Sequence, residues 1–253
     1  NCSALKGVYF VSVNHRVTEA GEDSSIDWSD LSLVNKKAFY NCSNLETVDL
    51  ANVKTITIAH QTFADCVSLK TVIDWQSIGT MHHYAFANCV SLEEVELDGL
   101  FVAGNYVFQG CTGIKKITTG KFTAIGNYMF DGCTGLTEVE LYGARIGNGA
   151  FRNCVNLASV TFESPENVEH EFEIGAYAFE NCGSRFESGN LTVTLDDEKI
   201  RVLGSYAFKG SSLASFKMNM SALEVLGTNP FEDTNLTALT IDDDFDMSKL
   251  VLS

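Results

Sequence analysis

Apolar and polar positions along this chain recur in one repeated phrase, which reads Ala-Phe-x-Asn-Cys-x-x-Leu-x-x-Val-x-Leu in its clearest copies, as from Phe86 to Leu97. A phenylalanine marks each copy, 21 to 29 residues after the last: Phe39, Phe63, Phe86, Phe108, Phe130, Phe151, Phe179, Phe208 and Phe231. A period near 22 residues is typical of one supersecondary unit stacked on copies of itself. The pattern therefore predicts a solenoid, which grows by stacking and needs no closed core.

The Leu-x-x-Val-x-Leu part of each copy alternates apolar and polar residues, as a short half-buried strand does. Successive strands must run parallel, because each follows the last by a full coil, and they should lie ~4.8 Å apart. The Ala-Phe part is often preceded by Ile-Gly, as in the stretch from Ile125 to Phe130. This part is predicted to return the chain along the convex side, where the phenylalanine fills the core from outside.

The second residue after each phenylalanine is restricted to Asn, Asp or Gly. The nine residues are Asn41, Asp65, Asn88, Gly110, Gly132, Asn153, Asn181, Gly210 and Asp233. These residue types tolerate a left-handed backbone with positive φ. They predict the cap of a single helical turn that reverses into the strand.

Composition narrows the classes of function. The net charge is −16, from 17 basic and 33 acidic residues. Such a surface repels phosphate backbones and anionic lipid, which argues against nucleic acid and against direct membrane docking or insertion as partners. No apolar run approaches the ~20 residues of a membrane helix. We expect a single domain over 1–253, with a truncated repeat at 1–10, an insertion at 11–33, repeats at 34–241 and an acidic end at 242–253.

All eight cysteines occupy one slot of the repeat, three residues after a phenylalanine or, for Cys2, in the matching position of the truncated repeat. The favoured interpretation is a column of small buried side chains with weak S–H donors. A disulfide framework is argued against because Ser211 and Thr234 take the slot in the last repeats. Zinc is argued against because no His or Cys-x-x-Cys partner is near. A lipidated Cys2 is an open alternative.

The repeated phrase, followed by Ile-Gly, resembles the BspA-like leucine-rich repeat family from Asn1 to about Ile241. The resemblance implies a right-handed α/β solenoid of about ten coils, with a parallel sheet on the concave face and short helical turns on the convex face. Proteins of this family are mostly exported or cell-surface molecules associated with adhesion. The resemblance therefore implies a non-enzymatic binding module without cofactors. No catalytic residue and no ligand identity can be transferred from the family to this chain.

Outward strand positions form two rows on the predicted concave face. One row contains Glu94, Lys116 and Glu138, and the next contains Tyr9, Glu96 and Glu140. The four glutamates and Asp98 form an acidic patch around Lys116, and Tyr9 is a separate aromatic candidate for ligand binding. The patch is interpreted as a docking surface for a basic or hydroxyl-rich partner; the alternative is that exposed strands simply favour such residues.

Two aromatic residues extend the candidate ligand-binding set. Tyr142 follows a patch strand directly, and Trp75 lies in an irregular strand in which Asp74 takes the slot of an inward leucine. Either a bulge turns the indole outward, or Trp75 fills the core itself. The sequence leaves both open.

Insertions and scattered polar residues add little chemistry. Insertions after the strands decorate one edge and carry Trp28, Glu166, Glu169, His170 and Phe172; they serve recognition or capping. The adjacent His82 and His83 should point apart, which argues against a shared metal. The acidic run 242–246 lacks the glycine and glutamate of an EF-hand.

The resemblance thus implies an extracellular or cell-surface module that binds a host matrix protein, a cell-surface protein or a glycan. The rival interpretation is a structural spacer within a larger surface protein. The ligand, the anchor and the oligomeric state are not determined by these patterns.

Overall fold

The computed structural model describes residues 2, 4–10, 31–98, 102–119, 124–142, 145–163, 171–184, 191–195, 199–218, 222–241 and 251–252. Most of the predicted insertion at 11–33, including Trp28, lies outside the described residues. The same holds for Glu166, Glu169 and His170, and for most of the acidic end. Within the described ranges the chain forms a stack of repeated rungs built from parallel strands.

The outward rows run along what we name the front sheet. Its strands within the described ranges are β1 (Gly7–Tyr9), β3 (Thr47–Asp49), β5 (Thr71–Ile73), β7 (Glu94–Glu96), β9 (Lys116–Thr118), β10 (Glu138–Leu141), β12 (Ser159–Phe162), β14 (Thr192–Thr194), β16 (Ser215–Met218) and β18 (Ala238–Ile241). Its hydrogen-bonded blocks are β1-β3-β5, β7-β9-β10-β12-β14 and β16-β18, all parallel. The predicted register is confirmed, since Glu94 pairs Lys116, Lys116 pairs Glu138, and Glu138 pairs Ser159.

The Ile-Gly segments form a second parallel sheet, which we name the back sheet. In the part of the chain that the structure describes, its strands are β2 (Leu33–Val34), β4 (Ile56–Ile58), β6 (Ile78–Met81), β8 (Val102–Ala103), β11 (Arg145–Ile146), β13 (Glu171–Ile174), β15 (Lys199–Leu203), β17 (Val225–Leu226) and β19 (Val251–Leu252). A single bridge between Ile125 and Ile146 extends it toward β8. Phe172, assigned to an insertion by sequence, lies instead in β13, where it is buried and meets Phe162 edge to face at 5.0 Å.

The phenylalanines form a continuous column inside the stack. Each ring is stacked on the next with centroids 5.1 to 5.7 Å apart, from Phe39 to Phe231. The interplanar angles in this column do not exceed 17°. Offset stacking of aromatic rings adds a directional term to their area burial. The predicted internal column is confirmed.

The segments around each phenylalanine are turns, and this differs from the predicted helical turns. All nine predicted left-handed positions have positive φ, between 55° at Asn41 and 74° at Gly132. A second set of positive φ values, not anticipated, lies two residues before each phenylalanine: Lys37, Gln61, Tyr84, Tyr106, Tyr128, Gly149, Tyr177, Tyr206 and Asn229. Within the described ranges the one helix is the 3₁₀ turn Trp75–Ser77.

Alternation of hydrogen bonds explains why these segments do not become helices. In the rung of Phe86, the N–H groups of Tyr84, Phe86 and Asn88 donate to carbonyls of the next rung at 2.8 to 3.1 Å. The intervening N–H groups of Ala85 and Ala87 donate three residues back within the same turn. Since every second amide is committed to the neighbouring rung, a helix would leave those bonds unmade. Right-handed coiling and a total of about ten coils stay predictions.

The cysteine column is buried as predicted, with one exception at its start. Six cysteines are free and buried, and each thiol donates to the carbonyl of the preceding rung's phenylalanine, as Cys111 does to Phe86 at 3.1 Å. Burial raises the pKa of Cys66 to about 11 and raises those of Cys89, Cys133 and Cys182 well above the usual value. These thiols therefore stay protonated and donate.

The argument against any disulfide was wrong for the first pair. Cys2 and Cys42 are bonded, with their Cα atoms 5.0 Å apart on adjacent rungs. Parallel stacking brings every neighbouring pair of slots close, so the even spacing of cysteines does not determine which pair is oxidised. The bond also engages the sulfur of Cys2 in the fold, which leaves no thiol there for lipidation.

Truncating one ring of the column should test its contribution. We expect Phe130→Ala to lower the free energy of unfolding by about 3–5 kcal/mol, because a fully buried phenyl ring is lost and a cavity remains. Tyr9→Ala is the matched control, since Tyr9 is 57% exposed. Thermal and denaturant unfolding measure both. Equal effects of the two variants would contradict the buried column.

Reduction should reveal the single crosslink. The bridge closes a separation of 40 residues, so its loss should destabilise the protein by roughly 2–4 kcal/mol. We expect a reductant to lower the melting temperature of the parent protein but not that of the Cys2→Ser/Cys42→Ser double variant. Thiol labelling after denaturation should modify six cysteines. A count of eight would show that the bridge does not form.

Candidate binding surface

The acidic patch predicted from sequence is assembled on three adjacent front strands. β7 contributes Glu94 and Glu96, β10 contributes Glu138 and Glu140, and β9 between them contributes Lys116. All point outward because the intervening residues Val95, Ile117 and Val139 are buried. Asp98 is exposed just after β7. The structure thus brings the six charged residues of the predicted set together.

Lys116 neutralises only one side of this patch. Its Nζ lies 3.2 Å from Glu138 Oε1 and 3.7 Å from Glu140 Oε1. The hydrogen bond to Glu138 and the charges of Glu138 and Glu140 raise the pKa of Lys116. Among the residues that the structure describes, Glu94 and Glu96 form no ion pair. The β7 side of the patch therefore keeps its negative charge.

Tyr142 is placed next to the carboxylates by a local substitution in the repeat. Thr119 is buried at the end of the β9 rung, where the flanking strands have Leu97 and Leu141. Its hydroxyl donates to the Glu140 carbonyl at 3.1 Å and accepts the Tyr142 N–H at 2.9 Å. Partial burial, and then the charges of Glu163, Glu140 and Asp98, raise the pKa of Tyr142. Its hydroxyl therefore stays protonated beside the patch.

Trp75 does not line an exposed face, and of the two sequence alternatives the core position is the observed one. Asp74 adopts a left-handed backbone, with φ 65°, and starts the 3₁₀ turn. The indole is 7% exposed and lies 5.4 Å from the Phe86 ring and 5.9 Å from the Phe108 ring. The break disrupts the front sheet, because β5 and β7 are not hydrogen-bonded neighbours.

A cleft opens where the front sheet is broken. It has a volume of about 440 Å³ and is lined by Lys70, Thr71, Val72, Asp74, Trp75, Gln76, Glu93, Glu94 and Glu96. Four carboxylates and one lysine thus surround it. Glu94 and Glu96 belong to both the patch and the cleft wall. The sequence signal for this cleft was the aspartate in an inward slot.

Tyr9 is not part of this assembly. It is exposed on β1 and pairs with Asp49 of β3. Two strands and the break separate it from β7. Tyr9 therefore cannot share a small ligand with the patch, although an extended partner could reach both.

Sequence reasoning missed a second group of polar side chains, on the edge that precedes each phenylalanine. The His60 ring is stacked on His82 at 4.8 Å and tilted against His83 at 5.1 Å. Tyr84, Tyr106 and Tyr128 are stacked on one another at 4.7 and 5.0 Å. Within the described ranges, no three His, Cys, Asp or Glu side chains are grouped to hold a metal ion.

The signal for this edge was present in the repeat. Position by position, the three residues before Ala-Phe or its equivalent read Gly-Asn-Tyr in two central rungs, and His82-His83-Tyr84 in an earlier one. This signal indicates a surface site only if the tyrosines of successive rungs stack on the outside of the turns. The predicted helical turns did not place these tyrosines next to one another.

Known proteins share this architecture. A model of the BspA type leucine rich repeat region matches residues 32–144 and 123–248, in six copies. The chain also resembles the crystal structure of a leucine-rich repeat protein from Bacteroides ovatus, with 18% identity, a TM-score of 0.56, and coverage of 97% of this chain and 74% of that one.

A second similar structure is a leucine-rich repeat protein from Eubacterium ventriosum, with 21% identity and a TM-score of 0.54, covering 85% of this chain and 55% of that one. At these identities the likeness concerns the fold alone. No curated protein matches the chain. The described part of the chain contains no helix with the length and apolar character of a membrane span. The family model covers well over half of the sequence, and the chain belongs to the BspA-type leucine-rich repeat family.

Proposed function

We propose that this protein is a non-enzymatic binding module that docks a basic segment of a partner protein on the acidic patch and the adjoining cleft. The observation that carries the proposal is the unneutralised pair Glu94 and Glu96 at the mouth of a 440 Å³ cleft. An isolated acidic patch attracts cations without selecting them. A cleft beside it adds a place where one lysine or arginine side chain can enter.

Geometry supports a protein segment over a small molecule. Glu94 and Glu138 are two strand spacings apart, which is about 10 Å in a parallel sheet. Basic side chains on an extended segment could pair with both.

We place this activity at the cell surface or outside the cell. The bridge between Cys2 and Cys42 supports the proposal, since disulfides persist in oxidising compartments. Partners of the predicted kind include a host matrix protein, another cell-surface protein or a glycan, and the patch favours the basic proteins among them. A right-handed solenoid of about ten coils in one domain would present these strands on its concave face.

A structural spacer within a larger surface protein is the second candidate. The regular column of stacked rings favours it, because a stiff stack can hold another domain at a distance. The spacer role requires no ligand, so binding experiments separate the two.

Charge reversal should abolish docking. The variant Glu94→Lys/Glu96→Lys/Glu138→Lys/Glu140→Lys should lose binding to immobilised basic matrix proteins that the parent binds at low salt. Binding of the parent should weaken as salt rises, since exposed charges are screened. Surface plasmon resonance measures both. The control is Glu171→Lys/Glu224→Lys, on and beside the back strands β13 and β17. Absence of parent binding at any salt concentration would favour the spacer.

Removal of the patch lysine, Lys116, should strengthen binding instead of weakening it. We expect Lys116→Gln to bind the same basic proteins more tightly at low salt, because Glu138 and Glu140 lose their counter-ion. Lys209→Gln is the control, since Lys209 pairs with Glu232, which belongs to neither the patch nor the cleft. Weaker binding by Lys116→Gln would show that the patch does not act through its negative charge.

A further inference from the structure

A second candidate site lies on the edge that precedes each phenylalanine. Its charged side chains are basic, whereas those of the patch on the front sheet are mainly acidic. Lys36, His60, Gln61, His83 and Tyr84 surround a cavity of about 300 Å³, which we name the basic pocket. No carboxylate is among these five side chains, although the whole chain carries a net charge of −16. A basic pocket in an acidic protein indicates a site for an anionic ligand, because the charge of the chain as a whole would repel one.

The basic pocket lies where the first rungs depart from the repeat. From Gly104 onward the position four residues before the phenylalanine is glycine, and an added Cβ at Gly126 would lie within van der Waals overlap of the Gly104 carbonyl. The preceding rungs have Ala59 and His82 at this position, and their N–H groups keep the inter-rung bonds, at 3.0 and 2.9 Å. The departure therefore lies in the side chains, and the His82 ring stacks on His60 at 4.8 Å.

The tyrosine column ends at this pocket. Tyr84 is stacked on Tyr106 on one side, and it lines the pocket together with Gln61 of the preceding rung. The other end of this three-ring column is closed, because Arg152 lies over Tyr128 at 5.0 Å. An aromatic face is thus offered to a ligand only at the Tyr84 end.

The imidazoles supply hydrogen-bonding groups in a defined state. His83 Nδ1 accepts the Asn105 N–H at 2.8 Å. In later rungs the side-chain Oδ1 atoms of Asn105 and Asn127 accept the equivalent N–H of the next rung. An accepting Nδ1 leaves Nε2 to carry the proton and to donate. His60 is half-buried, and its pKa is lowered first by burial and then by the proximity of the basic groups His82, His83 and Lys36. The groups that act on His60 are therefore basic throughout.

We propose that the basic pocket binds a carboxylated sugar residue of a glycan. The C–H face of a pyranose ring would cover Tyr84, while its carboxylate would meet Lys36 and the imidazoles of His60 and His83. A cavity of this size is at the lower end for ligand sites, which suits a single sugar residue. An acidic peptide offers the carboxylate without a flat apolar face, and inorganic anions offer neither the face nor the size.

A bound carboxylate would favour the charged imidazole and so raise the pKa of His60 in the complex. Affinity should therefore increase as the pH falls through the imidazole titration and decline as the pH rises above it. The other titratable side chains that face His60 are His82, which is stacked on its ring, and His83, which is tilted against it. Lys36, Gln61 and Tyr84 complete the lining of the pocket.

The experiment compares carboxylated sugars with neutral ones by ligand-observed NMR and isothermal titration calorimetry. The probes are 3′-sialyllactose against lactose and glucuronic acid against glucose. We expect at least one carboxylated probe to bind, its neutral counterpart to bind about tenfold more weakly or not at all, and affinity to rise from about pH 7.5 to about pH 5.

Variants taken from the repeat itself keep the fold. His83→Asn restores the side chain that accepts the same backbone bond in later rungs, and with His60→Asn it should weaken the binding of the carboxylated probe about tenfold or more. Tyr84→Asn places a residue that tolerates the positive φ of 60°, and should weaken binding as well. Tyr177→Asn is the matched control, at the same repeat position with φ 58° and outside the pocket.

Several results would overturn the proposal: no binding of either carboxylated probe, equal binding of the neutral sugars, or a Tyr84→Asn variant that behaves like Tyr177→Asn. Equal competition by sodium sulfate or by a poly-glutamate peptide would also overturn it, because the ring face would then contribute nothing. Charge reversal on the front sheet should leave sugar binding in place. Failure of the acidic patch and failure of the basic pocket are therefore distinguishable.

Discussion

Backbone hydrogen bonds between successive turns are the interaction on which the rest of this structure depends. Around each phenylalanine every second N–H donates to the next rung, and positive φ values two residues before and two residues after the ring make this alternation possible. The spacing imposed by these bonds brings the rings to about 5 Å. The thiols then reach the carbonyl of the preceding phenylalanine. Core packing and amide pairing are therefore satisfied by the same geometry.

This dependence explains why much of the fold could be predicted from the sequence. Register follows from the repeat, since equivalent residues must meet, and Glu94, Lys116 and Glu138 are aligned as expected. The left-handed positions after each phenylalanine, such as Gly132, follow from residue type alone. The positions before it could not be found in this way, because tyrosine occupies most of them. There the inter-rung bond to the carbonyl of the next rung, as from Tyr84 to Asn105, compensates for an unfavourable backbone conformation.

The candidate sites were harder to predict for the same reason. The patch residues follow from register, but the burial of Trp75 depends on the contacts of its indole with two rings that belong to other copies. The contact between His60 and His82 depends on the rise from one rung to the next, not on their separation in sequence. The disulfide between Cys2 and Cys42 depends on oxidation, which the regular slot does not encode.

Both candidate sites lie where the repeat is interrupted, and this has a physical basis. In a regular rung each polar backbone group and each apolar side chain is satisfied by a copy above and a copy below, so little is left for a ligand. At Asp74 the front sheet breaks beside a cleft, and the basic pocket lies beside Ala59 and His82, which take the repeat position of glycine. The two openings lie on different sides of the same rungs: Trp75 packs on Phe86, and the turn of Phe86 carries Tyr84. A solenoid can therefore present two surfaces of opposite charge to two different ligands without disturbing the column between them.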